Sequence, residues 1–202
     1  MIEFAARRTP ARQRAGPGPH SREARSEPTP ARAGHGVVEK RNETTIALRR
    51  IGTIRTPYRE AEGTPIQPVF GAGVEGTVDV FEEFAEGLVD LEGFERVWLI
   101  YWLDRAGPAE LFVVPYRDAS PHGVFATRAP SRPSPIGLSV VRLLERRGST
   151  LRVADVDILD NTPLLDIKPY VPRFDAHPQS RAGWFDTTRA DRRVADKRFH
   201  RD

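Results

Sequence analysis

From Thr44 onward, short runs with β-type patterning are cut apart by turn residues, and no long helical pattern separates them. This punctuation limits the fold more than any other feature of the chain, because strands joined without long crossover helices are confined to antiparallel pairing. TTIALRRIGTIRT ends at Pro57, and VEGTVDVF places Val74, Gly76, Val78 and Val80 on one face. RVWLIYWL is a near-continuous apolar run of the kind expected for a strand buried on both faces. ELFVVPYR supplies a further strand, SVVRLLERRGSTLRVADVDIL reads as a hairpin turning at Arg147 to Ser149, and PLLDIKPYV is the last run. EEFAEGLVDLEGF holds a short helix closed by Gly93. The expected fold is mainly β: a single small antiparallel β-barrel with one or two short helices. A doubly wound nucleotide-binding fold is disfavoured, because Gly71 and Gly73 are not followed by an amphipathic helix and read as turn residues.

The 202 residues suit one domain of ordinary size. Residues 1–43 are rich in Pro, Gly, Ala, Ser and Arg with almost no bulky apolar side chains, so they are expected to be a disordered tail. After Phe174 the strand signal decays into a charged C-terminal tail, residues 176–202. The chain carries no cysteine, which excludes disulfides, thiolate metal sites and cysteine nucleophiles. Its five histidines lack metal-ligand spacing, so no metal is expected. No apolar run approaches the length of a membrane span, and the Arg-rich first 20 residues lack the apolar stretch expected of a secretory signal, so the cytoplasm is the expected location.

The net charge of +3 sits at the ends of the chain. Residues 1–43 contain 9 Lys/Arg against 5 Asp/Glu, which leaves 22 against 23 for the remainder. The barrel region is therefore close to neutral, and any nucleic-acid contact would lean on the termini, including the cluster Arg189, Arg192, Arg193, Lys197, Arg198 and Arg201.

Two segments carry more chemistry than a β-barrel needs. In GVFATRAPSRPSPIG, from Gly123 to Gly137, three prolines forbid a ladder strand or a helix and impose a stiff extended loop. Thr127, Arg128, Ser131, Arg132 and Ser134 are then displayed at low entropic cost, either for ligand recognition or as surface groups paired with carboxylates. The second segment is DVDILDNTPLLDIKPYVPRFD, where Asp157, Asp160, Asp166 and Lys168 interrupt otherwise apolar runs. Asp160 to Pro163 has turn composition, so Asp160 serves either the turn or a ligand. Asp166 and Lys168 share one strand face and could equally form an ion pair with Arg128 or Arg132.

Taken together, GVFATRAPSRPSPIGLSVV, DILDNTPLLDIKPYVPRFD, IGTIRTPY from Ile51 to Tyr58 and the loop Ile66-Gln67-Pro68 resemble the TsaA/TrmO-like family of methyltransferases, in the same order over about Ile51 to Phe174. The resemblance implies a small β-barrel over residues 44–175 that binds S-adenosyl-L-methionine, with a homodimer partner near the site. It also implies methylation of the N6 nitrogen of N6-threonylcarbamoyladenosine in tRNA, beside the anticodon. Carried across by motif, the cofactor contacts are Ile66, Gln67, Pro68, Asp104, Arg105, Arg128, Leu138, Asp157, Ile158, Leu159 and Asp160. Arg128 suits the cofactor's carboxylate, and the Asp side chains suit its sulfonium and ammonium. Asp104 and Asp160 are the candidates for a catalytic base. Asp104-Arg105 stand where the tRNA enzymes of the family carry His-Gln, and the longer members continue into a second domain. Two other readings follow from the same residues: a related methyltransferase acting on a small molecule or protein, and a barrel that binds S-adenosylmethionine or nucleic acid without catalysis.

Overall fold

The computed structural model describes residues 45–200, and the segment expected to be a disordered tail lies outside the described residues. Six strands close into an antiparallel barrel: β1 (Gly52–Arg55), β2 (Glu75–Val80), β3 (Arg96–Trp102), β6 (Ile136–Arg147), β7 (Thr150–Ala154) and β8 (Thr162–Pro169). Around the barrel the order is β1-β2-β7-β6-β3-β8, with β8 pairing back onto β1. Closure satisfies both edges of every strand, which is how so small a sheet avoids exposed ladder groups. A separate two-stranded sheet joins β4 (Phe112–Val113) to β5 (His122–Gly123). Among the described residues, helical structure is limited to one α-turn, Pro172–Asp175, and short 3-10 turns.

The barrel interior is filled by alternate residues of each strand, as the period of two requires. Ile54, Val78, Val97, Leu99, Val141, Leu151, Val153 and Leu164 are fully enclosed there. Each such side chain contributes about 1.5–3 kcal/mol relative to exposure. The β6–β7 hairpin turns where expected, with Gly148 at a φ of 59° that favours glycine.

Three sequence expectations need correction. The run 96–103 is not buried on both faces: Val97, Leu99 and Tyr101 are buried, while Trp98, Ile100 and Trp102 alternate with them on the outer face and are only half-buried. An apolar run cannot distinguish these cases, because a barrel has a single interior. In TTIALRRIGTIRT only Gly52–Arg55 forms a strand, and Ile46 and Leu48 lie exposed without sheet partners. ELFVVPYR contributes just two strand residues, outside the barrel.

The C-terminal segment is charged, as its composition indicates, but it is also anchored. Ala195 and Phe199 are buried, and Phe199 packs with Val113, Val124 and Ala129 in a second apolar cluster.

Candidate functional site

The site is assembled at one rim of the barrel by four connecting segments. The loop before β6 opens with a 3-10 turn, Val124–Ala126, and then, rather than running extended as its prolines suggest, bends repeatedly before Ile136, with the Arg132 and Ile136 N–H groups donating to the carbonyls of Pro130 (2.8 Å) and Ser134 (2.7 Å). Arg132 staples it from within, donating to the carbonyls of Ala129 (2.8 Å), Val124 (3.0 Å) and Thr127 (2.6 Å). Ser131 is buried. These two side chains build the loop rather than being displayed by it. Arg128, in contrast, is exposed, and its Nη1 donates to Oε1 of Gln67 at 2.5 Å.

Gln67 belongs to the segment Ile66-Gln67-Pro68 that leads into the 3-10 turn Pro68–Gly71. This turn lies directly on the chain after β7: a Cβ on Gly71 would sit 2.4 Å from the carbonyl oxygen of Val156. Only glycine allows that approach. Gly73, with a φ of +81°, then donates its N–H to Oδ1 of Asp155 at 2.8 Å. Both glycines serve the turn, and together they seat it on the chain at Asp155 and Val156.

Asp157 is mostly enclosed, and its Oδ1 accepts a 2.6 Å hydrogen bond from the Ser139 hydroxyl. That hydroxyl has one proton to give, so the Tyr101 hydroxyl, 3.0 Å away, donates to Ser139 Oγ. Burial raises the Asp157 carboxyl from its ordinary 3.8 to about 6, partly offset by the Ser139 hydrogen bond and the Arg128 charge. Burial and the Asp157 charge likewise raise Tyr101, and the same two causes raise Tyr58. Arg128 and Asp157 are thus close enough to sense one another while neither neutralises the other by contact.

A second centre lies along the same chain segment. Asp160 sits in a turn whose Asn161 adopts a φ of 64°, and its Oδ1 accepts from the Thr56 backbone N–H at 3.2 Å, while Oδ2 accepts from Asn161 Nδ2 at 2.9 Å. Arg105 Nη2 donates to the Asp160 carbonyl (2.7 Å) and to Thr162 Oγ1 (3.2 Å). Asp104 is exposed and lies 3.6 Å from Arg105 Nε. Arg59, Arg105, Asp160 and Asn161 line an open cleft of about 360 Å³.

The residues singled out by sequence therefore fall into two adjoining groups, Ile66–Pro68 with Arg128 and Asp157, and Asp104-Arg105 with Asp160. Ile158 is different: its side chain belongs to the barrel core, and its carbonyl accepts from Thr56 Oγ1 at 2.6 Å. The Leu159 carbonyl accepts from Thr162 Oγ1 at 2.7 Å. Leu138 points outward from β6 and is 48% exposed. Asp166 pairs with Lys168 at 2.7 Å, so neither takes Arg128 or Arg132 as its partner. Reading the sequence missed Tyr101, Ser139 and Arg59. Ser139 left a usable signal, a polar residue at an inward position of β6 between Gly137 and Val141. Arg59 left none.

The fold and these side chains define a small closed antiparallel barrel domain that brings a guanidinium, Arg128, within electrostatic reach of a largely enclosed carboxylate, Asp157. Comparison with known proteins narrows this class. Residues 53–176 match the model of the tRNA-methyltransferase O N-terminal domain, and the chain belongs to that family. It is 56% identical over 141 residues to a probable S-adenosyl-L-methionine-binding protein of Pyrococcus abyssi, covering 70% of this chain and 77% of that one. It is 31% identical over 156 residues to the tRNA (adenine(37)-N6)-methyltransferase of Escherichia coli, covering 70% of this chain and 64% of that enzyme. The crystal structure of TrmO from Pseudomonas aeruginosa superposes with a TM-score of 0.59 at 38% identity, covering 69% of this chain and 62% of that one. The match thus spans less than two thirds of both the E. coli enzyme and the TrmO crystal structure.

Proposed function

We propose that this chain is an S-adenosylmethionine-dependent methyltransferase whose acceptor is N6-threonylcarbamoyladenosine in tRNA, beside the anticodon. The observation that carries the reading is Arg128, hydrogen-bonded to Gln67 of the Ile66–Pro68 segment and acting through its charge on the enclosed Asp157 carboxylate. Arg128 has guanidinium N–H groups left beyond its bond to Gln67, enough to receive a carboxylate. Asp157 offers an anion to a sulfonium or ammonium, and Ile66, Pro68 and Leu138 offer apolar surface to an adenine. When bound, S-adenosylmethionine supplies an electrophilic methyl group. The chain's own work is to align the acceptor nitrogen in line with it and to keep water out. Asp104 is the better-placed base for the proton that nitrogen loses, because both carboxylate oxygens of Asp160 are already engaged.

We also infer a homodimer with the site near its interface. Strand register places Trp98 beside Val140, Ile100 beside Leu138 and Trp102 beside Ile136 on the outer face of β3 and β6. That makes a continuous apolar strip, with Ile136 39% and Leu138 48% exposed, which a second copy of the chain would cover. Among the described residues no helix is long and apolar enough to cross a membrane, and the proposed place of action is the cytoplasm. The family name and the printed activity of the E. coli relative support the tRNA acceptor. Asp104-Arg105, tied to each other at the cleft, and the near-neutral charge beyond residue 43 favour a second reading, a small-molecule or protein acceptor.

The deciding experiment compares modified nucleosides of tRNA by mass spectrometry from cells with and without this chain. Loss of the methyl mark on threonylcarbamoyladenosine is the expected result. An unchanged level would overturn the tRNA acceptor and leave the methyltransferase reading standing.

A further inference from the structure

Residues 177–200 lie beyond the part of the chain that matches the family, yet they touch three of the loops that frame the site. Along Ile66–Pro68, the Ala195 N–H donates to the Thr64 carbonyl (2.7 Å), and Gly63 and Ile66 donate to the carbonyls of Ala195 (3.1 Å) and Arg193 (2.9 Å). This is a short antiparallel ladder, with Pro65 opposite Val194. Beyond the ladder, the Phe70 ring meets the guanidiniums of Arg117 (5.5 Å) and Arg193 (6.0 Å). Along the Arg128 loop, Trp184 Nε1 donates to the Ala126 carbonyl at 2.8 Å, and its ring stacks on His122 with centroids 4.4 Å apart. Beside Asp104-Arg105, the Gly107 N–H donates to the Phe199 carbonyl at 2.8 Å, and Ala106 pairs with His200.

None of these contacts is needed to fill the barrel, since no described residue after Ile167 belongs to its core cluster. They connect three loops that the strands hold only at their ends. The Arg128–Gln67 hydrogen bond, which joins two of those loops, is exposed and would hold their separation poorly by itself. We propose that Gly183–His200 is a positioning strap that sets the spacing of the Ile66–Pro68, Asp104-Arg105 and Arg128 loops, and so tunes the affinity of the cofactor site. The inference rests on the cofactor reading above. Trp184 and Ala195 are positioning residues in it, acting through Ala126 and Thr64.

Two full-length variants test the strap. Trp184→Phe keeps a ring against His122 and loses only the donor to Ala126; Ala195→Pro removes the N–H that reaches Thr64. Titration with S-adenosylmethionine is expected to show a Kd raised at least about tenfold in each. The main unfolding transition should stay where it is, and saturating cofactor should restore turnover, so that KM moves and kcat does not. Hydrogen exchange should quicken at residues 63–68 in Ala195→Pro and at 124–128 in Trp184→Phe. Wild-type Kd in both variants would overturn the proposal, as would exchange unchanged in these loops. Should the wild-type protein bind no S-adenosylmethionine, the cofactor reading fails first. Faster loop exchange in the variants would then still support the strap's ordering of these loops, and unchanged exchange would overturn it.

Discussion

The ring of Tyr101 lies across Gly137: a Cβ built on Gly137 would fall 2.0 Å from Cε2 of Tyr101. The two residues are paired across β3 and β6, and the ring reaches over the glycine to bring its hydroxyl to Ser139 and thence to Asp157. Gly137→Ala is expected to push the ring out of this path, at about 1–3 kcal/mol of overpacking. Calorimetric unfolding should show the loss, and S-adenosylmethionine should bind more weakly because Asp157 loses its orienting chain. A variant with wild-type stability and affinity would show that the relay does not hold the carboxylate.

Asp157 gives a pH dependence of definite sign. Its folded-state pKa, about 6, lies above the ordinary 3.8, so the folded protein holds this proton more tightly than the unfolded chain. The corresponding stabilisation is complete below about pH 4 and is lost as the pH rises to about 6, beyond which the curve is flat. Asp157→Asn should therefore stabilise the fold at about pH 8, by at most about 3 kcal/mol, since a tenfold difference in proton affinity is worth about 1.4 kcal/mol. Cofactor binding should move the other way. The ionised carboxylate is the form that receives a cation, so wild-type affinity should fall about tenfold for each step of about one in pH below about 6, and Asp157→Asn should lose that dependence. Thermal unfolding of both proteins from about pH 4 to about pH 8 checks the first sign, and calorimetric titration with the cofactor over the same range checks the second.

Arg128→Ala removes the guanidinium offered to the cofactor's carboxylate. One charge-assisted hydrogen bond is worth about 1.5–3 kcal/mol, so Kd should rise roughly 10–100-fold. Arg128→Lys should recover only part of this, because an ammonium cannot hold Gln67 and a carboxylate in one planar fork. Equal affinities in wild type and alanine variant would remove Arg128 from the site.

Leu138→Glu puts a charge at the middle of the outer apolar strip of β3 and β6. Sedimentation equilibrium should show a dimer for the wild-type protein and a monomer for the variant, with the barrel still folded. A monomeric wild type would sink the proposed interface.

Asp104→Asn tests the base. Turnover should fall about 10²–10⁴-fold with cofactor affinity nearly unchanged. Full turnover with the true acceptor would exclude Asp104. Asp160→Asn serves as the comparison: it should chiefly weaken the turn, through the Thr56 contact.

How much of the molecule is legible in its sequence depends on the range of the interaction. The hairpin at Gly148, the turn at Asp160-Asn161 and the proline punctuation of the 123–137 loop are local, set by glycine φ, turn chemistry and proline. They can be read residue by residue. The apolar run 96–103 is legible as a strand but not as one-sided, since hydrophobicity does not say how many faces a sheet buries. Arg132 and Arg128 look alike in sequence, close together in one rigid loop, and only the folded loop turns one inward to three carbonyls and leaves the other on Gln67. The C-terminal segment reads as a charged tail because two buried residues, Ala195 and Phe199, carry its anchoring, and most of its ties to the rim are made by backbone groups common to every residue.

What the sequence by itself determined is therefore the approximate places of the six barrel strands, the turns between adjacent ones and the family pattern, all written in spacing along the chain. Tertiary structure alone decided that Arg128 meets Gln67 across 61 positions, that Ser139 finds Asp157, and that residues 177–200 return to the rim. The physical reason is barrel closure. Strand pairing fixes which loops share a rim, and that pairing is a property of the whole sheet, which no local periodicity records.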